Sequence, residues 1–166
     1  MKLVNRYFLE TEPKSFQIFG NNQNDLINCE QNKDIQLNKF FYKEIGADHH
    51  WRDRLNWSDE RWIDYLSNSF LKIFVLKIKK KLAGFYEIEH HENKNEVELI
   101  QLGLLREYRG KKYGSLLLKH ALNEAKKLNS HRVWVHTCSL DHEYALKNYT
   151  SRGFKIFKQE RIYINS

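Results

Sequence analysis

The sequence predicts a single α/β (α+β) domain, residues 1–166, built on one mixed, twisted sheet of about six to seven strands flanked by about four helices. A length of 166 residues is near the usual size of one domain, and no linker divides the chain. Three strands between residues 73 and 105 are spaced as an antiparallel meander. From residue 96 onward the pattern is strand, helix, strand, helix, strand, which is typical of an α/β half.

The first third of the chain predicts two strands and a helix. Residues 3–9 have a strand pattern that ends before Pro13, and a short strand is expected near residues 25–30 within a polar segment. A helix begins at Ile35 and is expected to end at Gly46. Its buried face is predicted from apolar residues at helical spacing: Leu37, Phe40, Phe41 and Ile45.

Ser58 predicts the start of a second helix. A serine at this position caps the first turn, and Asp59 and Glu60 in that turn favour the positive end of the helix dipole. The apolar stripe predicted for this helix is Trp62, Ile63, Leu66 and Phe70.

A hairpin and an α/β unit follow. Residues 73–78 and 82–90 are β-rich and are separated by three lysines, 79–81, and residues 96–105 form the third strand of the meander. Apolar residues then keep helical spacing from Gly114 to Leu128. The remaining expected elements are a strand at 132–138, a helix at 144–151 and a strand at 154–159.

The bulk charge predicts an anionic partner. A net charge of +7 and a pI near 9.3 attract anions, which include nucleic acid, anionic lipid and phosphorylated small molecules. Cys29 and Cys138 match no metal or redox spacing, and the first residues lack the apolar run of a signal peptide. We therefore expect a soluble, cytoplasmic protein without a metal, a membrane span or a disulfide.

The segment 106–115 is the strongest candidate for a phosphate site. It carries four basic residues and two glycines where a strand gives way to a helix. Exposed N–H groups and the helix dipole favour an anion there, and glycine permits a close approach of the backbone. The alternative is a solvated basic turn.

These residues resemble the GNAT acetyltransferases, whose phosphate-binding signature is Gln/Arg-x-x-Gly-x-Gly/Ala. Arg109 and Gly114 match its ends, whereas Lys112 replaces its middle glycine. If that position needs a positive φ, the lysine is strained. If the position is already helical, the lysine adds charge beside the phosphates. A second family pattern, Asn-x-x-Ala-x-x-x-Tyr-x-x-x-Gly-Phe, is matched by Ala145, Tyr149, Gly153 and Phe154, with His142 in place of the asparagine.

The resemblance implies an N-acetyltransferase that uses acetyl-coenzyme A (acetyl-CoA) as acyl donor. Its family fold is the same mixed sheet. The residues that it implies for coenzyme A are Leu102, Gly103, Leu104, Arg109, Gly110, Lys111, Lys112, Tyr113, Gly114, Ser115 and His142. Gly103 also suggests a bulge or a close backbone approach, which would free strand amides for the thioester carbonyl.

Two residues are predicted to move protons. A lysine-type amine is mostly protonated at neutral pH, at a penalty near 4 kcal/mol, so a base assists its attack. By the two-residue period, one strand face carries Glu96, Glu98, Ile100 and Leu102, and Glu98 is the candidate base. Glu87 and Glu89 compete for that role, and a merely solvated face is the alternative. The resemblance implies that Tyr149 assists departure of the thiolate.

The acceptor is predicted to bind a loop rich in histidine, tryptophan and charge, residues 48–57. Aromatic walls and a carboxylate suit an amine, and the residues assigned to it are Trp51, Asp53, Arg54 and Trp57. The expected partner is a small-molecule or peptide amine. Two other functions stay open: a coenzyme A-binding sensor without turnover, and a basic nucleic-acid-binding module, which the clustering of charge at one helix start disfavours.

Overall fold

The computed structural model describes residues 1–18, 26–141 and 144–165, which form seven strands and four α-helices. The strands are β1 (Lys2–Thr11), β2 (Ile27–Gln31), β3 (Leu71–Ile78), β4 (Lys81–His91), β5 (Glu96–Leu104), β6 (Arg132–Cys138) and β7 (Lys155–Ile164). The helices are α1 (Ile35–His49), α2 (Asp59–Leu66), α3 (Tyr113–Lys127) and α4 (Ala145–Ser151). Two short 3₁₀ turns, Glu92–Lys94 and Arg106–Tyr108, flank β5.

All seven strands belong to one sheet in the order β2-β3-β4-β5-β6-β1-β7. Its neighbours are antiparallel except β5 and β6, which are parallel and are connected through α3. The N-terminal strand β1 lies between β6 and β7. The mixed sheet expected from the sequence is therefore confirmed, with its parallel step at the predicted strand–helix–strand unit.

Each face of the sheet packs against a different pair of helices. On one face, Leu117 and Leu118 of α3 and Tyr149 of α4 join a core with Leu99 and Leu104 of β5. On the other face, helices α1 and α2 cover β3 and β4 through Phe41, Ile45 and Trp62. Because β3 and β4 are buried on both faces, they read as nearly continuous apolar runs rather than as alternating ones.

Helix α1 continues beyond the end predicted at Gly46. It runs to His49, and the chain leaves it at His50, which has a left-handed φ of 57°. Gly46 is required for packing instead, since a Cβ there would lie 2.9 Å from Cβ of Trp51. The prediction that the helix ends at Gly46 was therefore wrong.

Helix α2 begins at the predicted cap but is shorter than its predicted stripe. The Ser58 hydroxyl accepts a hydrogen bond from the backbone N–H of Arg61. Trp62 and Leu66 are buried, whereas Ile63 is 59% and Phe70 44% exposed. Because α2 ends at Leu66, Phe70 lies outside it and cannot continue the stripe.

The hairpin between β3 and β4 turns on two residues, Lys79 and Lys80, both with positive φ. Two such residues form the tight turn that matches strand twist. The short strand expected near residues 25–30 is β2, although residue 25 lies outside the described part of the chain. Within the described residues, no helix has the length and apolar character needed to cross a membrane.

Candidate active site

Strands β5 and β6 separate after three paired residues. Their parallel ladder joins Glu96 to Arg132, Val97 to Val133 and Glu98 to Trp134. Beyond Glu98, β5 keeps its partner β4 up to Leu104, and no β6 partner is found in the described residues. One edge of β5 is therefore open to a gap in the middle of the sheet.

A cavity of about 410 Å³ lies at this gap, a size usual for small-molecule sites. Its walls come from the open part of β5, the segment before α3, the start of α3, and α4. The lining residues are His49, Leu102, Gly103, Leu104, Arg109, Gly110, Lys112, Gly114, Ser115, Asp141, Tyr144, Ala145, Lys147, Asn148, Tyr149, Ser151 and Arg152.

The bulge in β5 is at Ile100 and not at Gly103. Glu87 pairs with Gln101 and Ile88 with Leu99, so Ile100 is the extra residue. It reverses the alternation of side chains, which places Ile100 against the core under α1 and Leu102 against the core under α3. The prediction that Leu102 shares a face with Glu98 and Ile100 was wrong for this reason.

Gly103 is a site of close approach. A Cβ on Gly103 would lie only 2.4 Å from Cγ2 of Ile45 in α1. Of the two explanations that the sequence suggested for Gly103, a bulge or a close backbone approach, the second applies. Helix α1 lies directly on the backbone of β5 beside the cavity.

The segment before α3 has a left-handed backbone conformation at two residues. Gly110 and Lys112 both have left-handed φ, 74° and 68°, and Lys112 is the N-cap of α3. No side chain caps the first turn of α3 at Lys112. Uncapped helix starts and backbones of alternating handedness are known to bind phosphate in other proteins. The positive φ of Lys112 is one of the two alternatives stated for this position, the one in which the lysine is strained.

Arg109 anchors this segment. Its Nε donates to the carbonyl oxygen of Leu104 at 3.1 Å, and its Nη1 donates to Asp48 at 2.9 Å. Arg106 donates to the same carboxylate through Nε at 2.7 Å. Hydrogen bonds from Arg106 and then Arg109 hold the pKa of Asp48 well below its usual range. The Nη2 of Arg109 is buried without a partner in the described residues.

Tyr149 lines the cavity from α4 and is 8% exposed. Its ring packs edge-on against Phe154, with centroids 5.5 Å apart. Burial, together with the charge of Asp141, raises the pKa of Tyr149 above its ordinary value. The phenol therefore keeps its proton at neutral pH.

Four glutamates lie on β4 and β5 near the gap, and their partners differ. Glu87 is buried and accepts two hydrogen bonds of 3.1 Å from Arg54. Glu96 contacts Arg132 at 3.2 Å. Glu98 accepts from Nε2 of His91 at 3.0 Å and is directly opposite Glu89.

An aromatic surface adjoins Glu98. The His91 ring is stacked near Trp134 at 6.2 Å, and the rings of Phe8 and His136 lie 5.6 Å apart. The indole Nε1 of Trp134 is buried and has no hydrogen-bond partner in the described residues. The surface therefore combines rings with the carboxylate of Glu98 on one side of the gap.

The residues assigned to the acceptor lie mainly in packed positions. Arg54 is surrounded by aromatic rings, the nearest being Tyr65 with its centroid at 4.3 Å, and is held by Glu87. Trp57 packs against Trp62 and Tyr65, and Trp51 packs under α1. Of the four assigned residues, only Asp53 is exposed. Direct contact of Arg54 with an acceptor would require its pair with Glu87 to break.

Most of the residues assigned to coenzyme A line the cavity, with three exceptions. Lys111 and Tyr113 are outside the lining, and His142 lies outside the described residues. The sequence analysis missed Asn148, which lies three residues after Ala145 on the same face of α4, and Arg152, which caps the end of that helix. It also missed His49 and Asp141, which no local pattern connects.

The sequence matches the model of the Acetyltransferase (GNAT) family over residues 36–154. No curated protein matches the chain. Among solved structures, the PaiA N-acetyltransferase from Thermoplasma acidophilum in complex with coenzyme A is 21% identical, with a TM-score of 0.65, and the match covers 78% of this chain and 89% of that one.

Two further structures share the fold. A GCN5-related N-acetyltransferase from Kribbella flavida is 12% identical, with a TM-score of 0.63, over 95% of this chain and 57% of its own. An aminoglycoside acetyltransferase from an uncultured soil metagenomic sample is 15% identical, with a TM-score of 0.65, over 78% and 89%. The chain thus spans less than two thirds of the Kribbella flavida protein, and at these identities the likeness shows the fold.

Proposed function

This chain belongs to the Acetyltransferase (GNAT) family, and on that premise we propose that it is an N-acetyltransferase that transfers acetyl from acetyl-CoA to a primary amine. Acetyl-CoA is the donor substrate, and its thioester supplies the activated acetyl group. The acceptor is a small-molecule or peptide amine.

One observation carries the proposal: the open edge of β5 and the uncapped start of α3 line the same cavity. A diphosphate requires several N–H donors, and a pantetheine arm requires the amide pairing that a strand edge offers. The unpaired Nη2 of Arg109 adds a buried donor at the same place. The donor set therefore fits coenzyme A, with its diphosphate at residues 110–115 and its arm along residues 102–104.

In this proposal Glu98 removes a proton from the acceptor ammonium. The family resemblance implies the role, and the partners of two neighbouring glutamates support it. Arginines pair with Glu87 and Glu96, whereas Glu98 accepts a hydrogen bond from His91, a side chain without a permanent charge. Glu98 is 18% exposed and adjoins the aromatic surface, where a cationic amine is attracted to both rings and carboxylate. A water molecule can connect the amine to Glu98 over a longer distance.

Tyr149 donates a proton to the departing thiolate. Its position in the cavity wall supports this, because a tyrosine, whose ordinary pKa is about 10, is protonated at neutral pH and is therefore available as a donor. In this proposal, backbone N–H groups on the open edge of β5 bind the carbonyl oxygen as negative charge develops.

An acceptor screen tests the proposal. Purified protein is mixed with acetyl-CoA and with sisomicin, spermidine, L-lysine or a lysine-containing peptide, and free thiol release is measured. We expect turnover with at least one amine, together with a rise in melting temperature on adding coenzyme A. Stabilisation without turnover would favour the sensor, and stabilisation by duplex DNA alone would favour the nucleic-acid module.

A further inference from the structure

Two side chains of the cavity lining, together with a buried threonine behind them, form a linked set that the proposed mechanism does not use. His49, the last residue of α1, contacts Oδ1 of Asp141 through Nδ1. The other carboxylate oxygen of Asp141 accepts a hydrogen bond of 2.7 Å from the hydroxyl of Thr137. The His49 ring also stacks on Trp51, with centroids 5.3 Å apart. Thr137 therefore holds the Asp141 side of the contact, and Trp51 holds the His49 side.

The His49–Asp141 contact spans the gap between β5 and β6. Asp141 follows β6, and His49 is one turn beyond Ile45, which rests on Gly103 of β5. Both residues line the cavity together with Tyr149. Burial, and then the charge of Asp141, raises the pKa of Tyr149.

The contact with Asp141 determines how His49 can act. A carboxylate accepts a hydrogen bond, so the imidazole proton is placed on Nδ1 and the ring lone pair on Nε2. An imidazole oriented in this way by a carboxylate is the arrangement of a general base. The side chains of His49 and Asp141 are only 12% and 18% exposed, which limits competition from bulk water.

We propose that His49 accepts the second proton that the acceptor amine loses, with Asp141 and Thr137 as positioning residues. The inference rests on the proposed acetyl transfer. An ammonium acceptor carries three protons, and the amide product keeps one. Glu98 takes the first before attack, and His49 takes the second from the nitrogen after the N–C bond has formed.

The proton balance then closes within the cavity. When the C–S bond breaks, the electron pair stays on sulfur and the thiolate takes the proton of Tyr149. The protonated His49 returns a proton to the Tyr149 oxygen, so both residues recover their starting forms. The proton held by Glu98 passes to solvent, which gives the one net proton that amide formation from an ammonium releases.

The test compares His49→Gln and His49→Ala with His131→Gln, a matched change at an exposed histidine outside the cavity lining. The acceptor is whichever of sisomicin, spermidine, L-lysine and the lysine-containing peptide the wild type turns over fastest. We expect kcat to fall about 100-fold in both His49 variants, with the Kd for coenzyme A within about threefold of wild type. Free imidazole should restore part of the kcat of His49→Ala, and His131→Gln should behave as wild type.

Asp141→Asn tests the positioning role. Nitrogen NMR of histidine-labelled protein should place the His49 proton on Nδ1 in the wild type and on Nε2 in the variant, with a lower kcat. A His49→Gln kcat within twofold of wild type would overturn the inference alone. The inference would also be overturned if the kcat of His49→Ala fell together with its affinity for coenzyme A and free imidazole restored none of that kcat. A wild type without turnover would instead overturn the proposed function and this inference together.

Discussion

Tyr149 is the residue on which the proposed acid step depends. Tyr149→Phe keeps the ring that packs on Phe154 and removes the hydroxyl that lines the cavity. We expect kcat to fall about 10- to 100-fold while the melting temperature and coenzyme A affinity change little. Steady-state kinetics and calorimetry measure these quantities. Tyr163→Phe, at a tyrosine 69% exposed on β7, is the control, and unchanged turnover in Tyr149→Phe would remove the residue from the mechanism.

Lys112 combines a strained backbone with a useful charge. A left-handed φ destabilises a residue other than glycine by about 1–2 kcal/mol, and a glycine substitution removes that strain. The substitution also adds conformational entropy to the unfolded chain, which lowers the free energy of unfolding by roughly 0.5–1 kcal/mol. Lys112→Gly should therefore raise the melting temperature by about 1–4 °C. Coenzyme A affinity should fall because a cation is lost from the cavity wall.

Lys111→Gly is the matched control for Lys112, since Lys111 is not among the positive-φ residues. Lys111→Gly removes an equal charge without relieving backbone strain, so the melting temperature of this variant should equal that of the wild type or be lower. Equal stabilisation by both substitutions would contradict the role assigned to the backbone at Lys112.

Among the elements, α1 and β5 are linked by contact at a glycine. Gly103→Ala places a Cβ 2.4 Å from Ile45, which must push α1 away from the cavity wall. We expect a loss of about 1–3 kcal/mol in the free energy of unfolding. At Gly114 an added Cβ would meet its nearest atom at 3.8 Å, so Gly114→Ala should keep full stability. Denaturant unfolding of both variants measures the difference, and equal stability would contradict the contact.

Asp48 connects the end of α1 to the segment before α3. Because Arg106 and Arg109 lower the pKa of Asp48, its ionised form stabilises the folded state above the unfolded pKa, about 3.9. That contribution is lost as the pH falls below this value. Asp48→Asn should lower stability by about 1 kcal/mol at pH 7, and the gap to wild type should narrow below pH 4. Melting curves from pH 3 to 7 test this, and a gap independent of pH would contradict it.

At the scale of the whole molecule, local patterns predicted most of the fold. The Ser58 cap, the lysine turn of the hairpin and the strand–helix–strand unit around residues 106–115 all depend on neighbours in sequence, and the structure contains each of them. Element ends were less predictable. A glycine after an apolar stripe is typical of a helix end, but Gly46 lies inside α1 because Trp51 packs against it. The position of Trp51 depends on the packing of the loop that follows the helix.

The candidate site was predictable only where it is local. Residues 109–115 and Tyr149 carry motif spacing, and the cavity includes most of that segment and Tyr149. The pairs Arg54–Glu87 and His49–Asp141 join residues 33 and 92 positions apart, so no periodic pattern could reveal them. The bulge at Ile100 likewise reverses side-chain direction in β5 without any glycine or proline to mark it.

The central claim is that coenzyme A binds with its diphosphate on the backbone amides before and at the start of α3. Titration of ¹⁵N-labelled protein with coenzyme A, followed by amide NMR, tests it most directly. We expect saturable shifts that are largest at residues 110–115 and 102–104, and smaller shifts on the distant hairpin at Lys79 and Lys80. The absence of shifts at millimolar coenzyme A, or their concentration outside the cavity, would contradict the claim.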